Sequence, residues 1–223
     1  MPTRRLVLIA AALALSAGGA VAAAGKAYPD DMSLGSPTAK VQVIEYASMA
    51  CPHCGHFNET IFPTLKSKYI DTGKVRYTLR EMLTEPVQVA AAGFMIARCA
   101  GPAKYFDVVD QVFRSQSRWT SGNIKPILQE VAAANGVDAA KFDLCLSDQG
   151  SFDAINARAA RASEQDDIHS TPTLVVNGKK IEKTPQTPAE LDALMAEALK
   201  APAAKPGAKK PAAKKPPAKK GGH

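Results

Sequence analysis

The tetrapeptide Cys51-Pro52-His53-Cys54 constrains this chain more than any other stretch, because of what stands on either side of it. Before it, "VQVIEYAS" is β-branched and loosely alternating, which predicts a strand over Val41–Tyr46. After it, Phe57, Ile61, Leu65 and Tyr69 recur every four residues, one face of a helix over about residues 52–70 that kinks near Pro63. At such a strand-to-helix junction the first thiol meets the unpaired N–H groups of the opening turn and the positive end of the helix dipole. Both favour its thiolate. Pro52 suits the first helical position, where a missing N–H costs nothing. His53 adds positive charge and a donor when protonated. Cys51 is therefore the expected nucleophile, and Cys54, one turn inside, the thiol that resolves a mixed disulfide. A stabilised thiolate also stabilises the reduced pair, which makes the disulfide oxidising.

Two blander readings compete: an inert disulfide or buried thiols, and a metal site. Zinc favours four ligands, usually as two close pairs. Only His53 and His56 lie near the tetrapeptide, and completion by Cys99, Cys145 or His169 would supply no second pair. Compartment bears on the choice. "MPTRRLVLIAAALALSAGGAVAAAG" has a basic start, an apolar run and a small-residue stretch, the layout of a secretory signal peptide cleaved after Ala24. An uncleaved anchor is the rival, since Leu6 to Ala24 carries no charge and approaches the ~20 residues that span a bilayer. All four cysteines lie beyond this leader, in a chain bound for a compartment where disulfides persist.

The other end, residues 201–223, is Lys, Pro and Ala with no acidic residue, and should be disordered. It holds seven of the 28 Lys and Arg and the leader two, leaving 19 against 21 Asp and Glu between Gly25 and Lys200. The basic balance thus belongs to the tail, and a nucleic-acid-binding fold is not implied.

Within the folded part, residues 25–37 read as a polar lead-in closing in a turn, and "KVRYTLREM" as a second strand. Residues 86–167 read as a block of helices punctuated by Gly and Pro, with Tyr105, Val108, Val109 and Val112 on one apolar face. "STPTLVVNGKKIE" is a strand followed by Asn177-Gly178, a strong hairpin signal. "TPAELDALMAEALK" opens a last helix at Thr187-Pro188, with Leu191, Leu194, Met195 and Leu199 apolar.

"VIEYASMACPHCGHF", followed more than a hundred residues later by "STPTLVVNG", resembles the DsbA-like branch of the thioredoxin superfamily, and "ARCAGPAKYF" with the second cysteine pair resembles its alphaproteobacterial members. The resemblance runs from about Gly35 to Lys200. It implies an α/β, thioredoxin-like fold over residues 38–85 and 168–200, with an all-helical domain inserted at 86–167. It also implies that Pro172 is a cis-proline beside the active-site cysteines and Thr171 the residue whose backbone pairs with an extended substrate. From residues alone an ordinary trans proline would be favoured. Glu45 matches an acidic residue buried near the cysteines, a proton shuttle for Cys54; simple alternation would instead turn it to solvent. Some relatives carry a second acidic residue where this chain has Asn58. Cys99 and Cys145 are expected to pair as a structural disulfide, the alternative being two thiols packed as small hydrophobes. Trp119 reads as a core or domain-edge anchor, His56 as an ordinary helix residue and His169 as a polar loop residue. Met32, Met49 and Met82 either line an apolar peptide groove or pack.

The function expected is periplasmic thiol–disulfide exchange. A monomer without organic or metal cofactor would pass the Cys51–Cys54 disulfide to reduced, unfolded exported proteins and be reoxidised by a DsbB-type membrane partner. A reductase or isomerase of the same fold is the first alternative; such enzymes often dimerise through a preceding segment, for which residues 25–40 are too short. A metal-binding or chaperone-like envelope protein is the second. The tail would attract anionic envelope surfaces weakly, fading with salt.

Overall fold

The structure, a computed structural model, describes residues 25–120 and 123–201. The expected leader, residues 1–24, and all of the basic tail beyond Ala201 lie outside the described residues.

Five strands form one sheet: β1 (Met32–Leu34), β2 (Val41–Ala47), β3 (Val75–Glu81), β4 (Thr173–Val176) and β5 (Lys179–Lys180), in the order β1-β3-β2-β4-β5. β2 lies at the centre, parallel to β3 and antiparallel to β4. It is covered on both faces. Val41, Val43 and Ala47 belong to the main core with Cys54, Phe57, Leu191 and Met195, whereas Ile44 and Tyr46 pack against Ala162, Ile168 and Val175 on the other side. A strand buried on both faces gives no solvent-facing register, and this decides where Glu45 goes.

The helix after the tetrapeptide is broken as Pro63 requires, into α1 (Pro52–Thr60) and α2 (Phe62–Leu65). A π turn over Lys66–Ile70 then inserts a residue into the helical phase. In consequence Ile70 takes the buried place the four-residue spacing gave to Tyr69, which is half-buried and donates its hydroxyl to Asp192 at 2.7 Å.

The helical block comprises α3 (Val87–Cys99), α4 (Tyr105–Ser115), α5 (Ile124–Ala134), α6 (Ala139–Ser147) and α7 (Gln149–Glu164). All four residues of the expected α4 face are buried. Asn177 and Gly178 both take positive φ, at 50° and 81°, as a two-residue hairpin turn requires. The last helix, α8 (Pro188–Lys200), starts with a capping box between Thr187 and Glu190.

The lead-in is more structured than its polarity suggested. β1 pairs antiparallel with β3, and Tyr28 lies between the guanidinium groups of Arg80 and Arg161, 4.3 and 3.9 Å from its ring centre. Arg80 is only 5% exposed. Asp31 meets it with two bonds of 3.0 Å and Asp166 with one of 3.1 Å. Tyr28 and Tyr46 both donate their hydroxyls to Asp166. Within a segment that reads only as polar, Asp30 and Asp31 meet Arg161 and the buried Arg80, partners a sequence does not reveal. A neighbouring cluster surrounds buried Glu81 with Arg98, Tyr105 and Arg158.

The three methionines belong to packing, not to a groove. Met49 is fully buried against Gly93, where a Cβ would collide with its sulfur, and half-buried Met32 and Met82 pack against the two core clusters.

Candidate functional site

The carboxyl end of β2 feeds a short loop into α1, and the loop sets the first cysteine. Ser48 is fully buried; its carbonyl accepts from the Cys51 N–H at 3.0 Å, and its hydroxyl oxygen accepts from the Ala50 and Thr84 N–H groups. Cys51 is the N-cap of α1 and Pro52 occupies the opening turn. Cys54 is fully buried and Cys51 is 7% exposed, both with free thiols.

The two thiols differ sharply. Cys51 is lowered from 9.0 to about 5, chiefly because the Cys54 thiol donates to its sulfur; burial opposes this, and the Thr171 side chain and the Cys54 and His53 N–H groups add to it. Cys54 is pushed far up by burial first, then by its bond to Cys51 and the charge of Glu45, with the Ser48 N–H in partial opposition. One sulfur is a thiolate at neutral pH and the other holds its proton.

Thr171–Pro172 is a cis peptide bond. It faces the cysteines, with the Cys51 sulfur 3.5 Å from the Thr171 carbonyl oxygen. Glu85–Pro86 is also cis, which the sequence reading did not anticipate. Thr171 presents two groups to Cys51. Its hydroxyl favours the thiolate, whereas its carbonyl accepts only from the thiol.

Glu45 is buried, at 2% exposure, on the β2 face that carries Val43 and Ala47. The alternation argument fails because that face lies under α1. Tyr77 of β3 donates its hydroxyl to Glu45 at 2.6 Å. Burial raises the carboxyl from 4.5 to about 7, against the Tyr77 bond and with the Cys51 charge. A carboxyl at this value can both give and take a proton near neutral pH.

Cys99, at the end of α3, is bonded to Cys145 of α6, with Cα atoms 6.1 Å apart. His53 and His56 are exposed, and His169 lies in the exposed loop before Thr171, 3.1 Å from Asp167. Trp119 is half-buried, donating its indole N–H to Ser115 at 2.9 Å. Asn58 is buried and reaches Asp110 of α4 at 2.9 Å, so an acidic group stands close by although it is not at position 58. Among the described residues no three His, Cys, Asp or Glu side chains converge as a metal site, and no helix is long and apolar enough to cross a membrane.

Sequence reasoning missed Ser48, Tyr77 and Gln116. Tyr77 was within reach of the alternation of β3. Ser48 and Gln116 act through side-chain hydrogen bonds to backbone groups, which no periodicity marks.

The thioredoxin family model matches residues 27–197. A curated Rickettsia bellii protein bearing a protein-disulfide oxidoreductase name is 34% identical over 155 residues, which are 69% of this chain and 59% of that one. The chain thus spans about three fifths of such relatives. Disulfide bond formation protein D of Bacillus subtilis is 25% identical over 154 residues, 66% of this chain and 68% of that one. Among solved structures, Wolbachia pipientis alpha-DsbA1 superposes with a TM-score of 0.72 at 27% identity, over 78% of this chain and 94% of that one.

Proposed function

The chain belongs to the thioredoxin family, in its DsbA-like branch, and we propose that it is a periplasmic thiol–disulfide oxidoreductase that introduces disulfide bonds into exported proteins. The observation that carries this reading is the asymmetry of the pair, with Cys51 held at about 5 and Cys54 buried and pushed up. Stabilising the reduced form favours transfer of the disulfide outward, the oxidase direction, over reduction or isomerisation.

In the oxidised enzyme a substrate thiolate attacks the Cys51 sulfur and the Cys51–Cys54 bond breaks. The departing Cys54 thiolate takes a proton, for which the Glu45 carboxyl is the nearby donor. A second substrate thiolate then attacks the substrate sulfur of the mixed disulfide, and Cys51 leaves as the stabilised thiolate. Two substrate thiols become one disulfide, and two electrons rest on the enzyme. The chain beside cis-Pro172 is suited to pairing with the extended substrate during both steps. Neither step calls on an organic or metal cofactor. Electrons are passed on to a quinone-linked membrane protein of the DsbB type. The basic tail, in this reading, only adds a weak, salt-sensitive attraction to anionic envelope surfaces.

Without Cys54 a mixed disulfide at Cys51 loses its intramolecular escape, and complexes that no second substrate thiolate resolves persist. In cells, Cys54→Ala should therefore accumulate disulfide-linked complexes with exported proteins through Cys51. Their absence, alongside a stoichiometric metal in the purified wild type, would overturn the reading in favour of an envelope metal-binding protein.

A further inference from the structure

Gln116, the first residue of a short 3-10 turn over Gln116–Arg118 that follows α4, belongs to the helical block yet reaches across to the active-site loop. Its amide nitrogen donates to the Met49 carbonyl at 2.8 Å and to the Cys51 carbonyl at 3.2 Å. The Cys51 carbonyl also accepts the Cys54 and Gly55 N–H groups at 3.1 Å each, so the amide completes its coordination. On the other side the Gln116 amide oxygen lies against Gly55 of α1, where a Cβ would run into it. The base of the turn is itself pinned. The Trp119 N–H donates to the Gln116 carbonyl at 3.0 Å and the Trp119 indole to Ser115 at 2.9 Å. Pro52, Gly55, His56, Phe113, Gln116 and Trp119 line one open cavity of about 340 Å³ along this seam.

We propose that Gln116 is a positioning residue for the exchanging thiol: its amide clamps the Met49–Cys51 backbone against α1, and Gly55 is glycine so that the amide can lie there. This rests on Cys51 being the exchanging thiol. The Cys51 sulfur is kept a thiolate by groups that are short-range and directional, the Cys54 thiol first and the His53 and Cys54 N–H groups among the rest. A loop free to rock by a few tenths of an ångström weakens each of them.

Two independent changes remove the clamp. Gln116→Met keeps the length of the side chain and loses both donors. Gly55→Ala leaves Gln116 intact but pushes its amide aside, and because alanine favours a helix the variant should fold even if the first did not. Thiolate absorbance at 240 nm, followed against pH in the reduced protein, reads the Cys51 pKa. Each variant should raise it by about half to one unit, a three- to tenfold loss of thiolate on its lower limb. The double variant should raise it no further than either alone, since both remove one interaction. A residue that only holds the fold together would lower the unfolding midpoint and leave the titration unmoved. A wild type that titrates low with single variants that do not differ from it overturns the clamp and spares the proposed function, as do shifts that add in the double variant. A wild type whose Cys51 titrates at the ordinary cysteine value overturns both.

Discussion

Replacing Glu45 with Gln isolates the buried carboxyl whose charge bears on the cysteines. The wild-type group stands at about 7 where an ordinary carboxyl stands at 4.5, with burial as the main cause. That displacement corresponds to about 3 kcal/mol. Because the folded chain holds this proton more tightly than the unfolded chain, the stability linked to it is fully present below about pH 4.5 and is lost as pH climbs through about 7. About 2.5 kcal/mol of the loss falls between pH 5 and pH 8. Glutamine does not titrate, and its carbonyl still accepts the Tyr77 hydroxyl. The stability of Glu45→Gln relative to wild type should therefore rise by about 2.5 kcal/mol from pH 5 to pH 8. Urea unfolding of both proteins, kept reduced by a phosphine at each pH, measures this; the relative midpoint should move by about 1 M. Cys51 titrates in both proteins, so its opposite contribution largely cancels in the difference. A relative stability that changes by less than about 0.5 kcal/mol between the two pH values, the scatter of independent sites, would refute the reasoning. In that event Glu45 is not held at a raised value and cannot serve as the proton source for Cys54.

Two further outcomes concern the frame around the site. Replacing Cys99 and Cys145 together by Ala opens a loop with a sequence separation of 46 and should lower stability by about 2–4 kcal/mol in non-reducing thermal or urea unfolding; an unchanged midpoint would mean the bond does not constrain the unfolded chain. Asp166→Ala strips an acceptor from Tyr28, Tyr46 and Arg80 at once and leaves a buried guanidinium short of countercharge, a loss of about 3–5 kcal/mol. Calorimetry on the variant should show this as a much lower melting temperature, and stability equal to wild type would exclude the network as a brace.

Features carried by local pattern were legible in the sequence. The β-branched run of β2, the Pro63 break, the Asn177-Gly178 turn and the Thr187 cap each follow from a few adjacent residues. The cysteine pair was legible for the same reason, since a helix N-terminus acts on whatever thiol is placed there. What depends on distant partners was not. Glu45 is ambiguous by alternation, and only the burial of β2 on both faces settles that it lies under α1. The lead-in reads as a merely polar segment because the acceptors Asp30 and Asp31 have no visible purpose until Arg80 and Arg161 are folded against them. Tyr69 followed a four-residue spacing that the π turn at Lys66–Ile70 interrupts. Cis-Pro172 stood on resemblance alone, as no local rule distinguishes it from a trans proline at the start of a strand.

The central claim, an oxidising Cys51–Cys54 pair, is tested most directly by equilibrating the protein in glutathione buffers of graded ratio and reading the reduced fraction by thiol alkylation. A Cys51 thiolate held at about 5 predicts a potential on the oxidising side of about −180 mV, toward the DsbA end of the thioredoxin-fold range. A potential near the about −270 mV of thioredoxin would contradict the account, because a pair that reducing cannot pass its disulfide outward to an unfolded protein.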